Sequence, residues 1–533
     1  MNKVATYLNG HLVGEVVTNG AVVAAAERDG GVLVRRPEMV ARVANTSDIR
    51  KIMRFCSQLA EKGHVLPVSV RGYGADFNGA ATGTGVMIDT TAYMQQVRGI
   101  DPKQQLIHVQ AGMSHRAVNA VLATHKGLAL PAISDGQDGT IGGAMSAGAA
   151  AGSLGRTQLF ADAVQQLEVV LSNGDVLQTG RLSKRDVAKK KGLTTFEGDI
   201  YRQLDNLIED NAALIQRMAA RQAVDTAGFA GIAKVKRPDG SIDLTPLFIG
   251  AQGALGIISE AIVKADFISP DVTVVAAAFD DMSLAQAAAD MAADCRAAQI
   301  TVLDGRLAAR AVESGKQVAW APKESFKGGS MIAVFADFSE RSRARAVKKL
   351  QKKIAGSAPL TVECYDMESP DIPSMLSLLR FSTQPSKPRT ALLPALSGLW
   401  MPLERIDTFL SELRQIEANT GVALPVVYDA VNGFVDILPV FDAHKVSDRR
   451  AMLQVTAEVA RAAAELKVSF AGRGGDGRFK AAVMRATLPQ EEVELYDQIR
   501  QIFDPAGILA PGIKQAVSAK ELAAELNEWC RGV

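Results

Sequence analysis

The sequence has few of the residues that staple small folds or hold metals. Its 533 residues include four cysteines, Cys56, Cys295, Cys364 and Cys530, which lie far apart with no CxxC pair. That spacing argues against a zinc ribbon or a disulfide framework and suits a reducing compartment. The six histidines are scattered, without HExxH or any other ligand spacing. An excess of one charge is also missing. The formal net charge is +1, so no bulk field favours nucleic acid or an acidic membrane. Two locally basic runs, residues 181–192 and 341–353, read as solvated helix faces. No run of about 20 apolar residues suggests a membrane span. The uncharged stretch GTIGGAMSAGAAAGSLG is too short and too rich in glycine. The opening MNKVATYLNGHLVGEVV is broken by Asn9, Gly10, His11 and Glu15, which makes it a poor signal peptide. A cytoplasmic protein is the expectation.

The length exceeds what one core usually holds, so two or three packed units are expected. With 47% hydrophobic and 22% charged residues, the composition is that of a globular protein. From about residue 36 to 270, short apolar strands alternate with helices and glycine-rich turns. TSDIRKIMRFCSQLAEKG starts with Thr46 or Ser47 as N-cap, ends at Gly63, and repeats its apolar residues at helical spacing. VLPVSV, GVMID, LIHVQAG and LEVVLSNGDVLQT read as strands, with SNGD as a hairpin turn. Past residue 270 the order strand–helix–strand occurs twice, in VTVVAAAF to ITVLDGR and in SMIAVFADF to LTVECYD. Two such units predict a ferredoxin-like α+β domain.

Three stretches are unusually bare. RGYGADFNG (residues 71–79) follows a strand; PAISDGQDGTIGGAMSAGAAAG (131–152) has almost no bulky side chain after Ile141; GAQGALGIIS (250–259) leads into another strand. A glycine-rich turn can make positive-φ turns, let two backbones approach, or present backbone N–H groups to an anion. The first stretch alone leaves packing and a phosphate cradle open. The second makes sense if something large lies against it. A nicotinamide-binding GxGxxG unit is not the reading, because these glycines open into a loop and another strand rather than into a βαβ unit.

In this order the stretches resemble the PCMH-type FAD-binding domain of the vanillyl-alcohol-oxidase superfamily. The resemblance is closest to FAD-linked oxidases of the D-lactate dehydrogenase and glycolate oxidase subunit kind. FDPAGILAPGIK (503–514) stands where that family closes with a DPxGILNPG-like motif. The resemblance implies an α+β chain. It would have a PCMH-type domain of two α/β subdomains and a ferredoxin-like cap with an antiparallel sheet. The expected boundaries are an N-terminal segment 1–34, the FAD domain 35–268, the cap 269–485, and a C-terminal segment 486–533 packing back on the FAD domain. It further implies that the backbone at Arg71, Gly72, Tyr73, Gly74 and Ala75 holds the FAD pyrophosphate. Thr140, Ile141, Gly142, Gly143, Ser146 and Ala147 would complete the cradle, and Gly256 and Ile257 would lie along the cofactor. The first loop has no histidine, so the flavin is expected to be non-covalent. Ala75 and Ala510 replace a family threonine and asparagine; each removes a hydrogen bond worth about 1 kcal/mol net.

The chain departs from the family in the cap. The stretches matching its GHxGDGNxH and GEHxDG motifs are YDAVNGFVDILP (428–439) and AGRGGDGRFK (471–480). Asp429 and Asp436 replace two histidines, and Arg473 and Gly474 replace the Glu-His pair. Asn432-Gly433 is a two-residue hairpin signal, which would set Asp429 directly opposite Asp436. Opposed carboxylates repel. Solvation, a shared proton, Arg473 between them, or a hard divalent cation such as Mg²⁺, Ca²⁺ or Mn²⁺ would each relieve that. Arg380 stands where the family has an arginine for the substrate carboxylate, and Lys480 is a further candidate for an anion. His108, His115 and His125 read as packing or surface residues. So do the three tryptophans, although Trp400 stands where the family has polar residues.

The expected function is oxidation of a small 2-hydroxy acid or similar anionic substrate by hydride transfer to flavin N5, with Asp429 or Asp436 as base. The sequence does not name the electron acceptor. Two other classes stand beside it: a flavin-binding or assembly protein that has lost the chemistry, favoured by the missing histidines, and an electron-transfer subunit. No cysteine run resembles a ferredoxin cluster motif, so in the last case any cluster would belong to another chain.

Overall fold

The computed structural model describes all residues except 1–2, 126, 134–138, 154–155, 222, 268, 270, 314, 316–317, 367–368, 370–389, 393–395, 443–444 and 532–533. Arg380 lies outside the described residues. The chain forms two compact units. The first takes the chain up to Ala150, then Leu159–Asp266, and then from Phe470 onward; the second takes Ala151–Gln158 and Phe267–Ser469. The return to the first unit comes at Phe470, so the GRGGDGR loop is part of the first unit, not of the segment between residues 269 and 485 with which the sequence groups it.

The first unit holds two larger sheets. In one, β1 (Glu15–Val17), β2 (Met39–Arg42), β3 (Val68–Arg71) and β4 (Val86–Asp89) take the order β1-β2-β4-β3. β2, β4 and β3 are parallel, and β1 is an antiparallel edge. Helix α1 (Thr46–Glu61) packs Ile49, Ile52, Met53 and Cys56 against Met39, Ala41, Val68 and Ile88. Its N-cap is Asn45, whose side chain accepts from the Asp48 N–H, rather than Thr46 or Ser47. Asp48 is buried and accepts from the N–H groups of Val13, Gly14 and Ala44, which frees Asn45 for the cap.

The other sheet is antiparallel. It is built from β5 (Val97–Asp101), β6 (Leu106–Gln110), β7 (Val164–Val170), β8 (Val176–Gln178) and β9 (Ile257–Lys264), in the order β8-β7-β9-β6-β5. A short helix α2 (Ile141–Ser146), capped by Thr140, precedes β7 in the chain.

The C-terminal motif extends the first sheet. Val68 donates to the Ile508 carbonyl and accepts from the Ala510 N–H, both at 2.8 Å, so this stretch lies on the outer edge of β3. Asp504 folds the turn by accepting from the Ile508 and Leu509 N–H groups. The Arg500 guanidinium donates to the carbonyls of Leu509, Ala510 and Ile513. Ala510 sits at φ 39°, a left-handed conformation that asparagine tolerates better than alanine. The family asparagine at this position thus has a backbone explanation.

The second unit is built around a seven-stranded sheet with helices. β10 (Val272–Phe279), α3 (Met282–Asp294) and β11 (Gln299–Asp304) form one unit. β12 (Gly329–Ala336), α4 (Glu340–Ile354) and β13 (Thr361–Asp366) form the next. Their strands run β13-β10-β12-β11, all antiparallel, which is the expected ferredoxin-like order. β14 (Leu396–Trp400), β15 (Val426–Asp429) and β16 (Phe434–Ile437) extend the sheet as β11-β15-β16-β14. No helix among the described residues is long and apolar enough to cross a membrane.

Candidate cofactor site

The three glycine stretches, far apart in sequence, meet in the first unit. A Cβ on Gly72 would lie 2.3 Å from the Thr140 hydroxyl, so the loop after β3 rests directly on the cap of α2. The third stretch docks on the other end of that helix. Gly250 and Gln252 donate to the carbonyls of Met145 and Ser146, each at 2.9 Å, and a Cβ on Gly253 would lie 3.0 Å from Val70.

The N–H groups divide into two sets. Ile141 donates to the Met113 carbonyl, Gly142 to that of Ala111, and Gly143 to the Thr140 hydroxyl. These amides hold the helix to the strand side and are not turned outward as the sequence suggests. Gly142 is required because a Cβ would lie 2.7 Å from that of Ala111. By contrast, the N–H groups of Gly72, Tyr73, Gly74 and Ala75 have no protein acceptor among the described residues. With Gly74 at φ 72°, these consecutive donors form the concavity that binds an anion. The Arg71 side chain does not join them: it donates to the carbonyls of Ala26, Arg28 and Ala81, holding the preceding segment in place. The loop therefore fits a pyrophosphate through backbone, beside the stretch 140–147, whose bulky side chains, Ile141 and Met145, are buried.

Gly256 and Ile257 are placed differently from the expectation. Gly256, at φ 154°, would direct a Cβ onto Val169 at 2.6 Å, and the Ile257 side chain is buried in the core cluster with Met39 and Val68. Close packing of β9 on β7 explains both. Ser146 and Ala147 end α2, partly exposed.

Residues that the motif reading passed over hold the site together. Asn78 donates to the Gly474 and Gly475 carbonyls. The Gln252 amide donates to Gly474 and Asp76 and accepts from the Gly477 N–H. Thr226 accepts from the Gly475 N–H. Beneath them Lys514, fully buried, is ion-paired with Asp476 and donates to the Thr226 carbonyl. Asp476 also accepts from the Gly228 N–H. The GRGGDGR loop is thus tied to the first and third glycine stretches. Gln252 had one sequence signal, a lone amide inside a glycine run; it holds φ 52°.

Asp29 adds a titrating group at this loop. Gly30, beside it, donates to the Gly74 carbonyl at 2.9 Å. One Asp29 oxygen accepts from Gly31 and the other is buried without a partner. Burial, with Asp76 nearby, pushes the Asp29 carboxyl up to about 8, although Arg478 and Arg71 act the other way. Asp76 is raised by burial as well. The folded protein therefore holds the Asp29 proton more tightly than the unfolded chain does. Stability from this group is complete below about pH 4 and declines as pH rises through about 8. Asp29→Asn cannot titrate. Its melting temperature should gain on the wild type as pH rises from 5 to 8.5 and then run parallel, measured by differential scanning calorimetry.

The cap carboxylates are not opposed. β15 and β16 pair Val427 with Asp436 and Tyr428 with Val435, so Asp429 stands opposite Phe434 and four residues, 430–433, make the turn. The reason is local: Asp429 accepts from the N–H groups of Val431 and Asn432 and from the Asn432 side chain, an Asx turn that a two-residue loop could not contain. Asp436 accepts from the Gly398 N–H at 2.7 Å. The two carboxylates still share one face of the sheet, as diagonal neighbours. Arg473, half-buried, belongs to the first unit. Lys480 is buried, donates to the Phe470 carbonyl and lies 5.4 Å over that ring, an interior position. His115 is a buried core histidine bonded to the Pro131 carbonyl, and His108 pairs with Glu260. No group of three or more metal-ligating side chains occurs among the described residues.

Comparison with known proteins finds two family domains in the chain. The family model described as FAD binding domain matches residues 37–180, and that described as FAD linked oxidases, C-terminal domain, matches 268–513. A D-2-hydroxyglutarate dehydrogenase of Pantoea ananatis is 24% identical over 94% of this chain and 50% of its own length. The glycolate oxidase subunit GlcD of Bacillus subtilis is 24% identical over 91% of this chain and 90% of its own. The chain thus spans about half the length of the first of these relatives. In structure, 4-ethylphenol oxidase from Gulosibacter chungangensis superposes with a TM-score of 0.66 over 95% of both chains at 16% identity, which shows a shared fold. With both domains present in order, the chain carries the FAD binding domain and the C-terminal domain of the FAD linked oxidases, and its cofactor is FAD.

Proposed function

We propose that this protein oxidises a small 2-hydroxy acid. The observation that carries the reading is the row of unpaired N–H groups at Gly72–Ala75, resting on α2 and locked by Gln252. This fits the pyrophosphate of FAD, the cofactor of the relatives' family. When bound, FAD supplies the two-electron acceptor for the hydride lost from the hydroxyl-bearing carbon. The chain's own tasks are to hold the pyrophosphate by backbone at residues 71–75 and to give the cofactor a bare surface at 140–147. The remaining task is to accept the hydroxyl proton. Of the two cap carboxylates, Asp429 already caps a turn with three N–H donors, and Asp436 sits in a strand facing the same way. Asp436 is therefore the base in this reading and Asp429 its structural neighbour. Arg380, by its place in sequence, would hold the substrate carboxylate.

The test is anaerobic. The purified holoprotein is mixed with a panel of 2-hydroxy acids while the visible flavin bands are followed. Bleaching by one acid supports the reading. Asp436→Asn should then slow bleaching at least 100-fold (about 3 kcal/mol of barrier) with FAD still bound. Asp429→Asn should lose stability more than rate. Equal bleaching in wild type and Asp436→Asn would remove Asp436 from the chemistry.

A second reading rests on the replacement of the family histidines by Asp429, Asp436 and Gly474: an FAD-binding protein without dehydrogenase chemistry. Flavin reduced by dithionite, but by none of the acids, would favour it.

A further inference from the structure

One end of the second unit's sheet has polar groups that the fold leaves unanswered. Trp400 pairs with Phe434 across β14 and β16, and on its other side exchanges two 2.8 Å backbone hydrogen bonds with Ser469. Directly paired residues in an antiparallel sheet project from the same face. Phe434, Trp400 and Ser469 therefore form a row on the face that carries Asp436. The indole N–H donates to the Asn432 carbonyl at 2.8 Å, which fixes the ring toward the turn of the hairpin. Asn432 and Ser469 are each 8% exposed, yet Asn432 Oδ1 and Ser469 Oγ have no hydrogen-bond partner among the described residues. The other half of the Asn432 amide is already used on Asp429.

A buried polar atom without a partner is costly, because it has given up its water and gained nothing in exchange. Two such atoms at one tryptophan are explained if a ligand answers both. The surroundings indicate what it carries. Trp400, Phe434, Asn432 and Ser469 are all uncharged, so this row offers no countercharge to a second carboxylate. It offers an aromatic wall, an oxygen acceptor and a hydroxyl. Aromatic groups pack on such a wall with a gain beyond their buried area alone.

We propose that the Trp400–Asn432–Ser469 cluster is the subsite for the substrate's side group. The preferred 2-hydroxy acid is then a monocarboxylate with an aryl side group bearing a hydroxyl, not a diacid. This rests on the oxidation reading above for the identity of the reacting group.

The experiment measures binding and reduction separately on the holoprotein. 4-Hydroxyphenyllactate, phenyllactate, lactate and 2-hydroxyglutarate are titrated by calorimetry, and flavin bleaching by each is followed anaerobically. Expected is binding of 4-hydroxyphenyllactate at least about tenfold tighter than 2-hydroxyglutarate (1.4 kcal/mol). Trp400→Ala should remove that ratio and Trp400→Phe should keep part of it. Ser469→Ala should reduce the preference for 4-hydroxyphenyllactate over phenyllactate. Tighter binding of the diacid, binding of none of the four, or a ratio unmoved by Trp400→Ala with flavin content intact would overturn the subsite and leave the two atoms to ordered water. Aryl preference without bleaching would sustain the subsite and defeat the oxidation reading. Bleaching without aryl preference would do the reverse.

Discussion

Lys514→Met is expected to destabilise the first unit by about 3–5 kcal/mol, the usual effect of removing one member of a buried ion pair. Lys514 is fully buried and Asp476 is 3% exposed; the pair is completed by the Thr226 carbonyl and the Gly228 N–H. Methionine fills the same volume but leaves the Asp476 carboxylate inside with only the Gly228 N–H among the partners described above. The double variant Lys514→Met with Asp476→Asn should recover a large part of the loss, because no unpaired charge remains. Denaturant melts of the single and double variants measure this directly. Equal losses in both would mean that packing rather than charge sets the cost. The consequence reaches function. Asp476 lies in the same loop whose Gly474, Gly475 and Gly477 bond to Asn78, Gln252 and Thr226, so the single variant should also lose flavin on desalting.

Gly72→Ala is expected to weaken FAD binding at least 100-fold while leaving the second unit folded. The added Cβ would meet the Thr140 hydroxyl at 2.3 Å and its methyl at 2.8 Å. Thr140 cannot simply turn away, because its hydroxyl caps α2 through Gly143; loss of such a cap costs about 1 kcal/mol. The loop must then shift, and with it the four N–H groups. The Gly72→Ala, Thr140→Gly double variant removes the obstacle and should bind FAD better than Gly72→Ala alone. Flavin absorbance per protein after desalting reads both. If Gly72→Ala keeps its full complement of FAD, the cradle is not where the unpaired amides put it.

The readable parts of the chain were those fixed by local chemistry. The helix 46–61 was legible from its apolar spacing, and its N-cap was missed by one residue because Asp48, buried by a distant turn, changes which neighbour caps. The ferredoxin-like order of the second unit followed from two strand–helix–strand runs. The glycine stretches pointed to a bare, close-packed surface. They could not tell which N–H groups are used internally, since the Ile141–Gly143 amides are taken by Met113, Ala111 and Thr140, from other parts of the fold. The hairpin shows the same limit. Asn432-Gly433 predicts a two-residue turn, but the Asp429 side chain captures two N–H groups and lengthens it, moving Asp436 out of register with its supposed partner.

By itself the sequence determined the element types and the order of the FAD-domain motifs, because periodicity, capping and glycine act within a few residues. The tertiary structure alone decided three things: that Gly72 lies on Thr140, that Gln252 and Asn78 grip the GRGGDGR loop, and that Trp400 bonds to Asn432 through its indole and to Ser469 through its backbone. Each depends on contacts between residues tens to hundreds of positions apart, set by how sheets and loops pack.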